Sequence, residues 1–412
     1  MDEVNKKIKF STGLNNKIRK KALFFLFFIF LVAISVFLYF LFFSKKNTIN
    51  KSFLPVKEIQ QKIVFRRTIN NMSLEEKAAQ LMFIGVTPEE WEQIGDWKYS
   101  IGGFLVNKTW ADIVKNNGLI DLESQTASKS AILPFFGADQ EGGEICRFDW
   151  LDCTSQKQTE NQQQAFMIAE TRGVDLKKLG INVVFAPVLD IAENNNDFIW
   201  KRTFNSNDEK ITALLGSAMI KGFTKAGIIA CPKHFPGHGG TIIDSHLQLP
   251  EIECNQQCLE KRIYPFKKVI DNGAEMIMIG HIKILNIKNQ KTETKEDRPA
   301  SLSGYWITET LRGQLNFKGV IITDDLLMRS LAEIDYPETE NIDKTINFWW
   351  VAPASVESIK AGADMVMIVG APEVQEKVFQ RLINAIKNGE IPEKRIDESL
   401  IRILRLKSLL IY

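Results

Sequence analysis

Hydrophobic positions in this chain follow two very different patterns. One is a single unbroken run, "ALFFLFFIFLVAISVFLYFLFF", 22 residues from Ala22 to Phe43 without a charge. The other is a series of short, β-rich bursts. They are "LMFIGV" at 81–86, "GGFLV" at 102–106, "LPFFGA" at 133–138 and "INVVFAPVLD" at 181–190, then "GIIACPKHF" at 227–235, "AEMIMIGHI" at 274–282, "GVIITDD" at 319–325 and "ADMVMIVG" at 363–370. Hydrophobicity inside each burst is continuous, the pattern of strands covered on both faces in a parallel sheet. From the third burst onward, amphipathic stretches such as 156–179, 208–226 and 256–273 separate most of them. Eight such units over roughly 300 residues predict an α/β fold, a single (β/α)8 barrel spanning 71–412. A doubly wound open sheet is the rival, but no Gly-rich dinucleotide fingerprint follows any strand. Ser73 with Glu76 is a capping-box signature for the helix that opens the domain. The helix-like "IDESLIRILRLKSL" is expected to close the barrel with no second domain behind it.

The long run is of another kind. It is long enough to cross a bilayer as a helix, and it ends in "FFSKKN" with no small-residue cleavage site, so it predicts an uncleaved anchor over 22–43. Seven cations precede it (Lys6, Lys7, Lys9, Lys17, Arg19, Lys20, Lys21) against Lys45, Lys46 and Lys51 just after it. That asymmetry predicts a cytoplasmic tail at 1–21 and an extracytoplasmic barrel. The polar, basic stretch 44–70 reads as a stalk.

Composition adds little beyond this. With 45% apolar and 25% charged residues and a net charge of +2, the chain is an ordinary globular protein with no basic excess calling for nucleic acid. Its five cysteines include two close pairs, Cys146/Cys153 and Cys254/Cys258, with Cys231 alone. Short disulfides fit an exported domain. Neither pair has the two-residue spacing of a zinc knuckle, and free thiols stay open as the third reading.

A barrel collects its chemistry at the C-terminal ends of its strands. The polar residues there are Asp139 with Gln140 and Glu141, Asp190, Lys233 with His234, His281, and Asp324 with Asp325. One of the last two aspartates could act as nucleophile, metal ligand or general base, the other as a helix cap. Spacing does not say which.

Three of the four histidines fall in "KHFPGHGGTIIDSH", residues 233–246. A metal site would need His234, His238 and His246 to converge, and the intervening proline forbids the regular helix that His-x3-His spacing requires. A phosphate loop would need Walker spacing, which the glycines lack. Proton transfer fits better. Gly237, Gly239 and Gly240 predict a flexible loop, and Asp244 two residues before His246 can fix the imidazole tautomer while the other nitrogen faces substrate.

"KHFPGHG" followed by "DSH", with "DQEGG" upstream and "TDDLLM" downstream, resembles glycoside hydrolase family 3, and within it the β-N-acetylglucosaminidase branch acting on peptidoglycan fragments. The resemblance covers about 70–405, with the motifs in the family's order. It implies that Asp324 is the nucleophile, His246 the general acid/base and Asp244 its dyad partner. It further implies that Asp139, Arg147, Arg202, Lys233 and His234 bind the sugar hydroxyls, that His238 shapes the loop and that Asp325 supports the nucleophile strand. No metal and no cofactor is implied. Two positions depart from the family pattern: Glu144 stands where arginine is usual after "DQEGG", and "KRTFNSND" replaces a commoner Arg-Ser-Phe-Gly run. The segment "EIDYPETENIDKTINFWWVAPAS" is longer than a barrel needs, and its Trp349 and Trp350 read as packing or rim residues.

The resulting expectation is a membrane-anchored, retaining exo-β-N-acetylglucosaminidase whose partners are a carbohydrate and, through 22–43, a lipid bilayer. Two alternatives stand beside it. A neutral histidine acid/base places no negative charge in the path of an anion, so phosphate could replace water in a phosphorylase. The domain could also be a non-catalytic cell-wall sugar-binding module.

Overall fold

The computed structural model describes residues 56–94, 99–119, 132–285, 298–336 and 347–410. The basic tail and the apolar run 22–43 lie outside them. Among the described residues no helix is long and apolar enough to cross a membrane. The chain divides into two units after Val64. Of the stretch read as a stalk, Val56–Asn70 is a helix, α1.

The second unit is an α/β barrel. Eight strands, β1 (Met82–Gly85), β2 (Gly103–Leu105), β3 (Phe135–Ala138), β4 (Val183–Val184), β5 (Ile229–Ala230), β6 (Met276–Ile279), β7 (Val320–Asp325) and β8 (Met365–Val369), form one sheet. Every pairing within it is parallel. The strand order is β5-β4-β3-β2-β1-β8-β7-β6, so chain neighbours are sheet neighbours and no point exists where the order reverses. That excludes the doubly wound alternative.

The ring is nearly closed, and its seam lies between β5 and β6. There the regular ladder gives way to single bonds because Pro232 and Pro236 have no amide to donate. Residues beyond β5 bridge the gap: Phe235 N donates to Met278 O at 2.9 Å, Gly280 N to Phe235 O at 2.9 Å and Met278 N to Pro232 O at 3.0 Å. On the other side Leu189 N donates to Lys233 O at 2.7 Å. The sequence bursts at 181–190 and 227–235 are therefore longer than β4 and β5, which stop where proline interrupts the ladder.

Inside the ring, large and small residues alternate. A Cβ on Gly103 would strike the Phe83 ring, and one on Gly137 would meet both Phe83 and Phe185, whose rings stand edge to face at 5.3 Å. Burying each ring contributes about 2–3 kcal/mol, and the glycines make the space for it. Helices cover the outside: α2 (Leu74–Gln80), α3 (Pro88–Ile94), α4 (Ala111–Asn117), α5 (Gln162–Lys178), α6 (Glu209–Lys225), α7 (Gln256–Asp271), α8 (Tyr305–Gln314), α9 (Val351–Ala361), α10 (Pro372–Lys387) and α11 (Glu393–Ser408). The capping box at α2 forms as predicted, Glu76 N donating to Ser73 Oγ and Ser73 N to Glu76 Oε2. At the N-terminal end of the ring the fully buried Asp364 accepts from Arg312, from Arg402 Nη1 at 2.8 Å, from Ser399 Oγ at 2.7 Å and from Ile321 N at 2.9 Å. This ties β7, β8, α8 and α11 together. Lys407 of α11 donates to Gln80 Oε1 at 2.7 Å beneath the ring.

Candidate active site

All the strand ends picked out by sequence open on one face, because the strands are parallel. Asp139 follows β3, Asp190 lies beyond β4, Lys233 and His234 beyond β5, His281 beyond β6, and Asp324 and Asp325 end β7.

A ladder of alternating charges crosses this face. Arg202 grips Glu141 with two bonds, Nη2 to Oε1 at 2.7 Å and Nε to Oε2 at 2.9 Å. Lys233 Nζ lies 2.7 Å from the same Glu141 Oε1 and donates to Asp139 Oδ1 at 2.6 Å. Arg147 Nη2 stands 3.7 Å from Asp139 Oδ2. Burial opposes ionisation of Glu141, but Arg202 and Lys233 outweigh it and hold the carboxyl far below its ordinary range. Burial likewise works against the Lys233 ammonium, and Asp139 and Glu141 more than restore it. Such fixed charges orient hydroxyl groups and do not exchange protons.

His234 is placed by Asp190. The Asp190 Oδ2 lies 2.7 Å from His234 Nδ1, and its Oδ1 accepts from the backbone amides of His234 (3.1 Å) and His238 (2.7 Å). Arg202 Nη2 meets His234 Nε2 at 3.3 Å. The same Nε2 faces Asp324 Oδ2 at 3.9 Å.

The two neighbouring aspartates diverge. Burial would raise the Asp324 pKa, but His234, His281 and Lys233 outweigh it and hold the group below its ordinary value, anionic. Asp325 is pushed up to about 7, mainly by burial. Its Oδ1 accepts from Leu327 N at 3.1 Å and Val369 N at 3.0 Å, which fastens the turn after β7 to β8. The two adjacent carboxyls are thus pushed apart by their surroundings. His281, buried behind them, bonds Ser301 Oγ at 2.7 Å and the Asp325 carbonyl at 3.0 Å, and burial lowers its pKa.

Asp244 and His246 meet as the sequence suggests, with Asp244 Oδ1 2.8 Å from His246 Nδ1 and accepting from the His246 amide at 2.9 Å. The imidazole is 59% exposed. The loop carrying it lies along the segment that leaves β7, where Ser330 N donates to Ser245 O and Arg329 N to His246 O.

The glycine stretch corrects an expectation. It is not flexible as a whole: residues 234–239 are buried, and their glycines serve close packing. A Cβ on Gly239 would run into the Ile191 carbonyl, and Gly240, at φ +75°, passes between Arg262 and Glu193. Only past Thr241 does the chain emerge, with Ile242 and Leu247 exposed. The three histidines go to three places: His234 to Asp190, His246 to Asp244, and His238 inward beside Phe198. Neither His238 nitrogen has a hydrogen-bond partner, and burial takes its pKa down to about 4, so it packs as a neutral ring.

The departures also find places. Glu144 pairs with Lys201 at 2.7 Å on the surface, while Arg202 faces inward to the buried Glu141. Trp350 is buried with its Nε1 on Leu326 O, and Trp349 packs against Tyr336. Both cysteine pairs are disulfides, and Cys231 is free and buried. Glu141, Asp190 and His281 carry no signal in the sequence beyond their place at strand ends, since their partners lie 20 to 92 residues away.

The profile of the glycosyl hydrolase family 3 N-terminal domain matches residues 73–406. Beta-hexosaminidase A of Pseudoalteromonas piscicida is 30% identical over 339 residues, 76% of this chain and 54% of that one, so the chain spans about half that relative's length. The beta-hexosaminidase LpqI of Mycobacterium tuberculosis is 28% identical, covering 82% of this chain and 83% of its own. Among solved structures, a family 3 β-N-acetylglucosaminidase from Paenibacillus sp. superposes with a TM-score of 0.72 at 28% identity, over 82% of this chain and 63% of that one. With the matching profile covering most of its length, the chain belongs to glycosyl hydrolase family 3.

Proposed function

We propose that the barrel is a retaining exo-β-N-acetylglucosaminidase. The observation that carries this reading is the juxtaposition of an anionic Asp324 with a fixed array of sugar-gripping charges, beside a loop bearing an Asp–His pair. In the first step His246, oriented through Nδ1 by Asp244, gives a proton from Nε2 to the glycosidic oxygen. Asp324 attacks the anomeric carbon, the C–O bond to the aglycone breaks, and a glycosyl ester forms. In the second step neutral His246 takes a proton from water, which attacks the same carbon and frees Asp324. Asp139, Arg147, Arg202, Lys233 and His234 hold the sugar. The names of the relatives support a β-linked N-acetylhexosamine as substrate.

We place the enzyme outside the cytoplasm on an anchor at 22–43, acting on muropeptide fragments. Two disulfides and the charge asymmetry around that run support this placement. Asp324→Asn is expected to abolish turnover of an aryl β-N-acetylglucosaminide. Retained turnover would overturn the nucleophile assignment, and binding without turnover by the native chain would revive the sugar-binding module. The product is expected to be free N-acetylglucosamine with or without phosphate; the sugar 1-phosphate would establish the phosphorylase.

A further inference from the structure

The loop that carries Asp244 and His246 leaves the packed barrel past Thr241 and is buried again at Leu249, and the paired stretch Glu251–Glu253 leads from there to Cys254. Between those feet Ile242 and Leu247 are exposed, as is the imidazole itself. Besides the backbone bonds from Arg329 and Ser330, the place of a proton-transfer group on so open an excursion depends on how the two feet are held. One buried side chain touches the first foot and the disulfide that ties down the chain behind the second. Arg262, in the second turn of α7, donates from Nη1 to Gly239 O at 2.7 Å and Gly237 O at 3.3 Å. Its Nε lies 3.2 Å from Cys258 Sγ, the sulfur bonded to Cys254. Its Nη2 reaches Glu193 at 3.3 Å, in the loop after β4.

We propose that Arg262 and the Cys254–Cys258 bridge form a clasp that positions His246 for proton transfer, an inference that rests on His246 being the acid/base. The planar guanidinium presents its donors in a rigid fork, so the first foot and the bridge are held at one spacing. Helix α7 does not need the bridge for its own start, since Asn255 already caps it by accepting from Cys258 N at 2.9 Å. A bridge across four residues also constrains the unfolded chain less than a long one would. The bridge's contact with Arg262 therefore matters more for alignment than for fold stability. Arg262 touches no substrate in this scheme; it is a positioning residue.

The experiment uses the full-length chain and aryl β-N-acetylglucosaminides of graded leaving ability, from 2,4-dinitrophenyl to phenyl. Protonation of the leaving oxygen matters most for the poorest leaving group. Arg262→Gln, Arg262→Lys and the double variant Cys254→Ser/Cys258→Ser are expected to lose about 10- to 100-fold in kcat/KM on the phenyl glycoside. On the dinitrophenyl glycoside the loss should stay within about threefold, and inhibition by free N-acetylglucosamine should be unchanged. Equal losses across the series, or none, would overturn the clasp. His246→Ala in the same series separates the two readings. If it lacks the leaving-group dependence, the acid/base assignment fails and the clasp with it. If it shows the dependence while the Arg262 and cysteine variants do not, the clasp alone fails. Should Arg262→Gln not fold, Arg262→Lys and the cysteine double variant decide.

Discussion

Asp324 and Asp325 share a strand end and a residue type, yet their surroundings drive them to opposite states. The consequence for stability can be worked out for Asp325. Its folded pKa, about 7, stands above the ordinary 3.8, so the folded chain binds this proton more tightly than the unfolded one. The stabilisation is complete below about pH 4 and is lost as pH rises through 7. Asp325→Asn cannot ionise and lacks that slope, so the variant is expected to gain stability relative to the native chain between about pH 4 and 8. Urea midpoints at several pH values test this; parallel curves would refute it. At this scale the sequence showed which residue types stood at strand ends, but not their partners. Glu141 acquires its role only when Arg202 and Lys233, 61 and 92 positions on, close around it. Asp190 likewise waits for His234.

Elements were more legible than contacts. All eight strands lie within the apolar bursts, because burial on both faces writes itself directly into composition. Proline inside two bursts shortened β4 and β5, which hydrophobicity alone does not reveal. The glycine loop misled for a related reason: glycine marks either freedom or close approach, and only the neighbours distinguish them. Gly239→Ala tests which applies. With the Ile191 carbonyl in the way, the loop must shift, and activity on an aryl β-N-acetylglucosaminide is expected to fall about 100-fold or more. A merely flexible loop would tolerate alanine with native rates.

For the molecule as a whole, the two ends of the ring divide labour. Ionisable groups at the C-terminal end face the site, whereas those at the other end are locked in the Asp364 knot. Removing one partner of a buried ionic cluster costs about 3–5 kcal/mol. Asp364→Ala is therefore expected to lower Tm by about 5–10 °C, with kcat/KM per folded molecule unchanged. An equal loss of activity in protein shown to be folded would contradict that division.

The seam of the barrel carries a consequence for how activity is acquired. The residues that join the ring's last two edges, from Pro232 to Phe235, include Lys233 and His234, the groups proposed to hold the sugar. A ring of eight strands left open at this seam, however well packed, would leave the charge ladder without a fixed middle rung. Turnover thus reports completion: a refolding chain should regain catalysis no earlier than this seam is fastened.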